Sequence, residues 1–275
     1  MKRNRILLSL GLVLMGVFVS FALFPDAFAP YGAKEMWQAW QLPGADHILG
    51  TNDMGYDIFS ELVFSARSTL VIGLAAALIS LMLGSSLGLA AGYLPGWKGE
   101  IAGGVIQIFL MIPMLPMAIV IAAFLGTETR NIIIIIAALG WCATARTVRV
   151  RTMQLKQSSF VESLVILGIS KWQIMTRHIL PNLREVILSR YIMTVAQAIM
   201  LEATLSFLGM GNPTEVTWGR MINIAYKRGG FTRGAYNWLV SPGICIALIV
   251  IAFYCINQYL EAHSSEVSGV QSYMD

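Results

Sequence analysis

The side chains in this sequence that could carry out chemistry are few and lie far apart. The run from Gly92 to Lys98 comes nearest to a phosphate-binding loop, but it lacks the Gly-Lys-Ser/Thr ending of that motif and its setting between a strand and a helix. His47, His178 and His263 are too scattered to form a metal cluster. We therefore predict no catalytic residue, no metal site and no cofactor held by this chain.

One acidic side chain, Glu202, lies inside an apolar stretch. A carboxylate in a membrane helix is costly, and such residues are often functional. A structural ion pair with Arg220 or Arg67 is the competing interpretation, because ion networks also perturb acids without a functional role. One acid is too little for a proton relay, and an intramembrane enzyme would need paired catalytic groups that the apolar stretches lack.

The composition indicates lipid as the solvent for most of the chain. Of the 275 residues 56% are hydrophobic and 12% are charged, about half the charged share of roughly 25% in soluble domains. Since roughly 20 apolar residues cross a bilayer, we predict an all-α polytopic membrane protein. Its spans would be 6–24, 66–92, 101–125, 131–149, 186–208 and 240–260, divided into an N-terminal helix with an external segment (1–65) and a five-helix core (66–275).

The distribution of basic residues predicts the orientation. Lys2, Arg3 and Arg5 precede the first span, which is too long for a signal peptide, so the N-terminus is expected in the cytoplasm. Alternation then places the C-terminus and the loop at about 150–185 on the same side. The segment from 146 to 190 contains eight Lys/Arg and two Glu. These charges flank spans, which argues against nucleic-acid binding. The cysteines, which have no C-x-x-C spacing, predict neither a disulfide nor a zinc site: Cys142, Cys245 and Cys255.

The long cytoplasmic insert contains an amphipathic pattern interrupted by a glycine. The segment 159–167 can form a short helix with Val161, Leu164 and Leu167 on one side. Gly168 permits a sharp turn after it. This pattern fits a docking element for a soluble partner, and it fits equally an amphipathic helix lying on lipid.

The second half of the insert continues the pattern. We predict that a helix restarts over 171–178, where Trp172 is a large side chain of the kind that anchors interfaces. Pro181 suits the first turn of the next span. Glu162 lies near a helix start, where the helix dipole favours an acid, and it is expected to pair with a basic residue.

Two further patterns concern the spans themselves. Gly84, Gly88 and Gly92 recur every four residues, a spacing that lets helix backbones approach closely. Two prolines in the third span predict a kink or a break there. Beside them lie three methionines, which either line an adaptable path or face lipid: Met111, Met114 and Met117.

Three ordered stretches give the chain a family resemblance: the external run 47–60, the insert 162–181, and Glu202 to Gly211 followed by Trp218 to Met221. Together they resemble the permease subunits of bacterial ABC importers, specifically the second permease of the dipeptide, oligopeptide and nickel type. The family's "EAA" loop matches here at the glutamate, the glycine and the closing Leu-Pro, which are Glu162, Gly168, Leu180 and Pro181.

The chain departs from the family pattern at a few positions. Ser163 and Leu164 replace two alanines of the loop, and His178 replaces an isoleucine. In the external run Asn52 stands at an aspartate position and Tyr56 at an arginine position. The spacing of the loop survives these changes, so the resemblance still implies coupling to a partner, with a differently shaped contact.

The resemblance implies a type I ABC importer permease fold in the bacterial inner membrane. Expected partners are a homologous second permease, two cytoplasmic ATPase subunits that hold ATP and magnesium, and an extracytoplasmic binding protein. The external run, read as a capped loop before a short helix, would face that protein; a plain structural loop is the alternative. The transported substrate would be a peptide, nickel or a metal chelate, and an ATP-independent channel or secondary transporter is the alternative function. The external contact residues would be Gly50, Asp53 and Asp57.

Overall fold

The computed structural model describes residues 2–271, with side chains over residues 5–262, and that part is almost entirely helical. It contains no β-strand, only an isolated antiparallel bridge between Thr51 and Asp57. The predicted all-α class is confirmed. The described helices follow one another in this order: α1 (Lys2–Leu23), α2 (Pro25–Phe28), α3 (Ile58–Tyr93), α4 (Trp97–Met111), α5 (Met114–Leu125), α6 (Thr129–Lys156), α7 (Ser159–Ile166), α8 (Lys171–Gln173), α9 (Leu180–Asn182), α10 (Arg184–Phe207), α11 (Trp218–Lys227) and α12 (Tyr236–Gln271). A π-helical turn, Ile174–Ile179, separates the short helices α8 and α9.

Five of the described helices are long and apolar enough to cross a membrane, namely α1, α3, α6, α10 and α12. The pair α4 and α5 makes a sixth candidate, bent by 85°. Five of the six predicted spans are therefore confirmed, and the predicted third span corresponds to the bent pair. The helix α3 begins at Ile58 rather than at 66. Its first turns carry Ser60 and Glu61, so hydropathy locates the apolar part of this helix and misses its polar start. The predicted domain boundary after residue 65 falls inside α3.

The break in the third span follows from its two prolines. Ile112 precedes Pro113 and is extended, with φ −71° and ψ 123°, because a proline disfavours the helical conformation of the residue before it. Pro116 instead lies in the first turn of α5, where a missing N–H costs no intrahelical hydrogen bond. The predicted break is confirmed, and Pro113 is the residue that causes it.

The bundle is organised around the contact between α3 and α6, the most extensive pair of elements in the structure. The two helices run parallel, since Gly84 faces Trp141, Gly88 faces Ala145 and Gly92 faces Arg149. The predicted role of the glycine stripe in helix packing is confirmed.

The remaining helices fix the two ends of the bundle. Phe18 of α1 packs on Trp218 of α11 with ring centroids 5.2 Å apart, and the Trp218 indole donates a hydrogen bond to the Leu62 carbonyl at 3.0 Å. At the other end, Ser189 of α10 donates to Asn257 of α12 at 2.7 Å. The start of α1 and the end of α12 therefore lie at the end of the bundle that carries residues 157–183, which we call the hairpin end.

The close approach of α3 and α6 can be tested by adding one methyl group. In Gly84→Ala the new carbon would lie 2.6 Å from the Trp141 carbonyl oxygen, so the helices must separate. We expect a loss of about 1–3 kcal/mol, seen as a lower thermal unfolding midpoint in detergent. Gly104→Ala is the control, because its added carbon meets no atom within 4 Å. Equal midpoints for the two variants would contradict this packing.

Candidate functional site

Residues 157–183 form a helical hairpin between α6 and α10, and its inner side is a small apolar core. Val161 and Leu164 of α7 are buried there, against Leu89 of α3, Val148 of α6 and Leu183 before α10. Burying apolar side chains is the main favourable term in packing. Because this core joins the hairpin to three long helices, the hairpin is fixed to the bundle.

The turn of the hairpin depends on Gly168. Its φ is +76°, in the left-handed region that favours glycine. The Gly168 N–H donates to the Val165 carbonyl at 3.0 Å and the Ile169 N–H to the Leu164 carbonyl at 3.1 Å. This is the Schellman ending of a helix, with its usual apolar contact between the residues on either side. The predicted helix over 159–167 and the turn after it are confirmed.

The second arm begins with a serine N-cap. The Ser170 hydroxyl accepts from the Gln173 N–H at 3.3 Å, which satisfies one of the free N–H groups of a helix start, and it donates to the Gln173 side-chain oxygen at 3.0 Å. The arm then widens into the π-helical turn, so the predicted α-helix over 171–178 is wrong in part. Ile174 and Ile179 are both fully buried. Residues five apart share a face only when hydrogen bonds run from i to i+5, which explains the π-turn.

The tip of the hairpin exposes a patch of large apolar side chains. The exposed fractions are 80% for Ile166, 75% for Leu167 and 69% for Trp172. Val165 adds to this tip patch, defined as Val165, Ile166, Leu167 and Trp172. The prediction that Leu167 shares a face with Val161 and Leu164 is wrong, because the helix ends at Ile166 and the turn directs Leu167 outward. Exposed apolar patches of this kind mark interaction surfaces.

The other residues of the predicted loop motif support the hairpin from its base. Leu180 packs against the inner core, and Pro181 lies exposed in the first turn of α9. Glu162 is exposed in the first turn of α7, and the predicted ion pair is not among those of the described residues. The His178 ring lies 5.9 Å from the Phe160 ring, joining the two arms.

Glu202 is fully buried in α10. Its carboxylate accepts a hydrogen bond from the Ser206 hydroxyl at 2.7 Å. The predicted ion pair with Arg220 or Arg67 is not formed: Arg220 donates to the Asn212 carbonyl, and Arg67 is exposed. The Ser206 hydroxyl, one turn away, donates to one oxygen of this acid, and the other oxygen is buried without a hydrogen-bond partner among the described residues.

The three predicted path methionines lie on both sides of the break between α4 and α5. Met111 ends α4 with 81% of its surface exposed, whereas Met114 packs partly against the main core. Met117 is half-buried on the next turn. They follow the bend rather than one continuous stripe.

The external run forms a buried structural network at the end opposite the hairpin. Asp57 is 2% exposed. Its carboxylate accepts from the His47 ring at 2.9 Å and from the N–H and the hydroxyl of Ser60, both at 2.8 Å. It is thus the N-cap of α3. The helix that follows is long, not the short helix we predict from sequence.

The burial of this network corrects the predicted contact with a delivery protein. Gly50 lies beneath the backbone of Gln41 and Pro43, so it and Asp57 cannot touch another molecule. Asp53 is nearer the surface and forms an ion pair with Arg228. Of the three predicted residues, only Asp53 lies where a second protein could reach it.

Sequence reasoning missed two partners in this network. His47 lies ten residues before Asp57 with no local pattern linking them. Asn52, at the family's aspartate position, donates its amide to the buried Glu61 carboxylate at 3.2 Å. An ionised aspartate could not donate in this way, so this hydrogen bond uses the side-chain amide that distinguishes Asn52 from an aspartate.

The family is decided by the comparison with known proteins. Residues 84–265 match the family described as "Binding-protein-dependent transport system inner membrane component". The chain belongs to this family. The matched region contains both the glycine stripe and the hairpin of this permease.

Named relatives extend the similarity over nearly the whole permease. It is 32% identical to the glutathione transport system permease protein GsiD of Pectobacterium atrosepticum, covering 91% of this chain and 83% of the relative. It is 31% identical to the dipeptide transport system permease protein DppC of Alkalihalophilus pseudofirmus, covering 94% and 85%. The oligopeptide transport system permease protein OppC of Bacillus subtilis is 34% identical, covering 80% of this chain and 73% of the relative. The resemblance to ABC importer permeases is confirmed, and the chain is a multi-pass transport subunit, not an enzyme.

The fixed attachment of the hairpin predicts different effects for two leucines of the permease. Leu164→Ala removes a buried side chain and should lower the local stability of the hairpin by about 2–4 kcal/mol. Leu167→Ala removes an exposed one and should cost less than about 0.5 kcal/mol. Hydrogen exchange of the amides of 159–182 measures both. Equal exchange rates in the two variants would show that the inner core does not hold the hairpin.

The external network predicts a structural role for Asp57. In Asp57→Ala the His47 ring loses its buried partner and α3 loses its cap, so the permease should be destabilised by about 3 kcal/mol or more. Asp46→Ala makes the same charge change at an exposed position and is the control. The thermal unfolding midpoint in detergent distinguishes them. A normal midpoint for Asp57→Ala would indicate that this carboxylate serves contacts outside the chain instead.

Proposed function

We propose that this chain forms half of the translocation path of an ATP-driven importer and is coupled to two separate ATPase subunits through its hairpin. The observation that carries the proposal is the tip patch, four apolar side chains exposed on an element that is otherwise fixed to three long helices. An exposed tryptophan such as Trp172 is the type of residue that dominates binding energy once a partner covers it.

The coupling needs no flexible joint within the hairpin. ATP can shift a transporter between two states only if it stabilises one of them more than the other. We propose that each permease binds one ATPase through its hairpin. When the ATPases close, the rigid hairpin of this chain would transmit their movement to the ends of α6 and α10. The chain would then move with its partner permease from an inward-facing to an outward-facing state.

Peptides are the substrate class that we propose. The relatives named for glutathione, dipeptides and oligopeptides support it. Nickel and metal chelates, which the resemblance also implies, would use the same path. An extracytoplasmic binding protein would deliver the substrate to the end opposite the hairpin, where Asp53 and Arg228 are partly exposed.

The proposed orientation places the hairpin end in the cytoplasm of a bacterial inner membrane. Both described ends of the chain lie at that end, together with Arg5 and the basic residues of 146–190. Positive charge on the cytoplasmic side is the general rule for membrane helices.

A charged residue in the turn tests the coupling. Gly168→Asp should leave the chain inserted, because an added carbon there meets no atom within 4 Å. It should nevertheless abolish uptake and the stimulation of ATP hydrolysis, since it puts a charge and a strained backbone at the docking surface. Gly96→Asp is the matched control: Gly96 has a φ of +58° and the same open space, in the turn before α4 and outside the tip patch. Uptake and ATPase stimulation are measured in reconstituted complexes.

Two outcomes would contradict the proposal. Uptake at the normal rate in Gly168→Asp would remove the coupling role of the hairpin. Uptake in proteoliposomes without any ATPase subunit would favour the alternative, an ATP-independent channel or secondary transporter.

A further inference from the structure

The helix α10 carries a polar side chain at the middle of the membrane. Gln197 is the central residue of the predicted span 186–208, and it is exposed on the surface of the chain. No hydrogen bond found among the described residues includes its amide. A polar group that meets hydrocarbon without a partner is costly, and polar residues of membrane helices face a protein interior or a water-filled cavity. This side of α10 therefore does not face lipid.

The side of α10 that carries Gln197 continues toward the hairpin end. Residues three, four or seven apart share one face of a helix. Met193 and Met200 therefore flank Gln197, the first half-buried and the second 51% exposed, and Arg190 lies two turns before it. The buried side of α10 carries Glu202 instead. We call the residues Arg190, Met193, Gln197 and Met200 the α10 face, and all four are at least partly exposed.

The α10 face leads into a groove of about 530 Å³ between α4, α6 and α10. Arg190 and Val186 line the groove from α10, and Leu110 lines it from α4. The other side of α6 packs against α3 through residues such as Thr144 and Val148. A concave site of this volume is typical of small-molecule binding. The wall on α6 is a single stripe with helical spacing: Ala143, Arg146, Thr147, Val150, Arg151 and Gln154.

Arg146 is the cation of the groove that this chain leaves without a partner. It is exposed, and no hydrogen bond or ion pair found among the described residues includes it. Arg151 donates to the Gln154 side chain at 2.9 Å, and Arg190 is near enough to Glu261 to interact with it electrostatically. None of the described residues that line the groove is Asp or Glu. Arg146 therefore gives the groove a positive charge that its own walls do not neutralise.

The side chains of these surfaces differ from those of a close helix contact. Where α3 meets α6, glycines let the two backbones approach, as is usual for packed membrane helices. The groove and the α10 face instead carry long, flexible side chains: Arg146, Met193, Gln197 and Met200. Methionine adapts to varied contacts, and a few polar groups around a concave site orient a ligand. These surfaces therefore fit a path for cargo better than a sealed contact with a second permease.

We propose that the groove and the α10 face line the half of the translocation path nearer the cytoplasm, where Arg146 attracts the carboxylate of the cargo and Gln197 hydrogen-bonds its amide groups. A guanidinium suits a carboxylate because it presents several N–H donors in one plane. The inference rests on the proposed function, in which this chain forms half of the path, and on the proposed orientation. It adds the class of cargo, a molecule with a free carboxylate and amide groups, such as an unmodified short peptide.

Water along the path is measured with cysteines introduced one at a time. The complex of this chain with its partner subunits is kept in inverted membrane vesicles without ATP, which expose the hairpin end to the bath. Gln197→Cys and Met200→Cys should react with a water-soluble methanethiosulfonate reagent above the level of the chain that has only its native cysteines. Leu78→Cys is the matched control and should not react. Leu78 is 49% exposed in the apolar part of α3, on an exposed apolar stripe with Val71 and Met82.

The charge of Arg146 is measured at the neighbouring Thr147→Cys. Its rate with the anionic sulfonatoethyl reagent is compared with its rate with the cationic trimethylammonium-ethyl reagent, each divided by the rate of that reagent with a free thiol. We expect the anion to react faster, and Arg146→Gln to lower the ratio of the two rates roughly five-fold. Arg146→Lys keeps the charge and should retain most of the preference. Arg184→Gln is the matched control, because it removes a charge from the exposed first residue of α10, outside the groove.

Three results would overturn the proposal. If both α10 cysteines are as unreactive as Leu78→Cys, the α10 face meets lipid or is sealed by the second permease. If Thr147→Cys shows no preference for the anion, or if that preference survives Arg146→Gln, this arginine does not attract a carboxylate. The labelling needs neither ATP nor the binding protein, and the coupling is tested separately by uptake, so a failure of one is distinguishable from a failure of the other.

Discussion

The close parallel contact of α3 and α6 is the constraint on which the rest of the structure depends. Lipid gives no hydrophobic drive for helices to associate, so membrane helices pack through small residues that let their backbones meet. Here three glycines bring the half of α3 nearer the hairpin end within contact distance of the α6 backbone. The hairpin leaves from the end of α6 and packs on both helices, so its position is set by that contact.

The two ends of the bundle are held by different interactions. At the hairpin end an apolar core of aliphatic side chains joins the hairpin to the helices. At the opposite end the start of α3 is held by hydrogen bonds from His47 and Ser60 to Asp57 and by the Trp218 indole. A helix start has unpaired N–H groups that require polar partners, which explains why the polar network lies there.

The sequence predicted features that depend on local rules. The spans, the break at Pro113 and the turn at Gly168 follow from hydropathy and from the backbone preferences of proline and glycine. The π-turn, the outward direction of Leu167 and the pairing of His47 with Asp57 could not be predicted in the same way. Each depends on which side chains the tertiary structure buries together: Ile174 and Ile179 share a face only because α3 and α6 supply a core for both. Glu202 shows the same limit, since a nearby serine rather than a distant arginine is its hydrogen-bond donor.

The π-turn sets the direction in which the hairpin tip points around the helix axis. A π-turn contains one residue more than the α-helical path would need, and one residue of an α-helix corresponds to about 100° of rotation. Everything on the tip side of Ile174, including Trp172, is therefore rotated by roughly that angle relative to α10, compared with an uninterrupted helix. A sequence one residue shorter between Ile174 and Ile179 would point its tryptophan roughly a quarter-turn away.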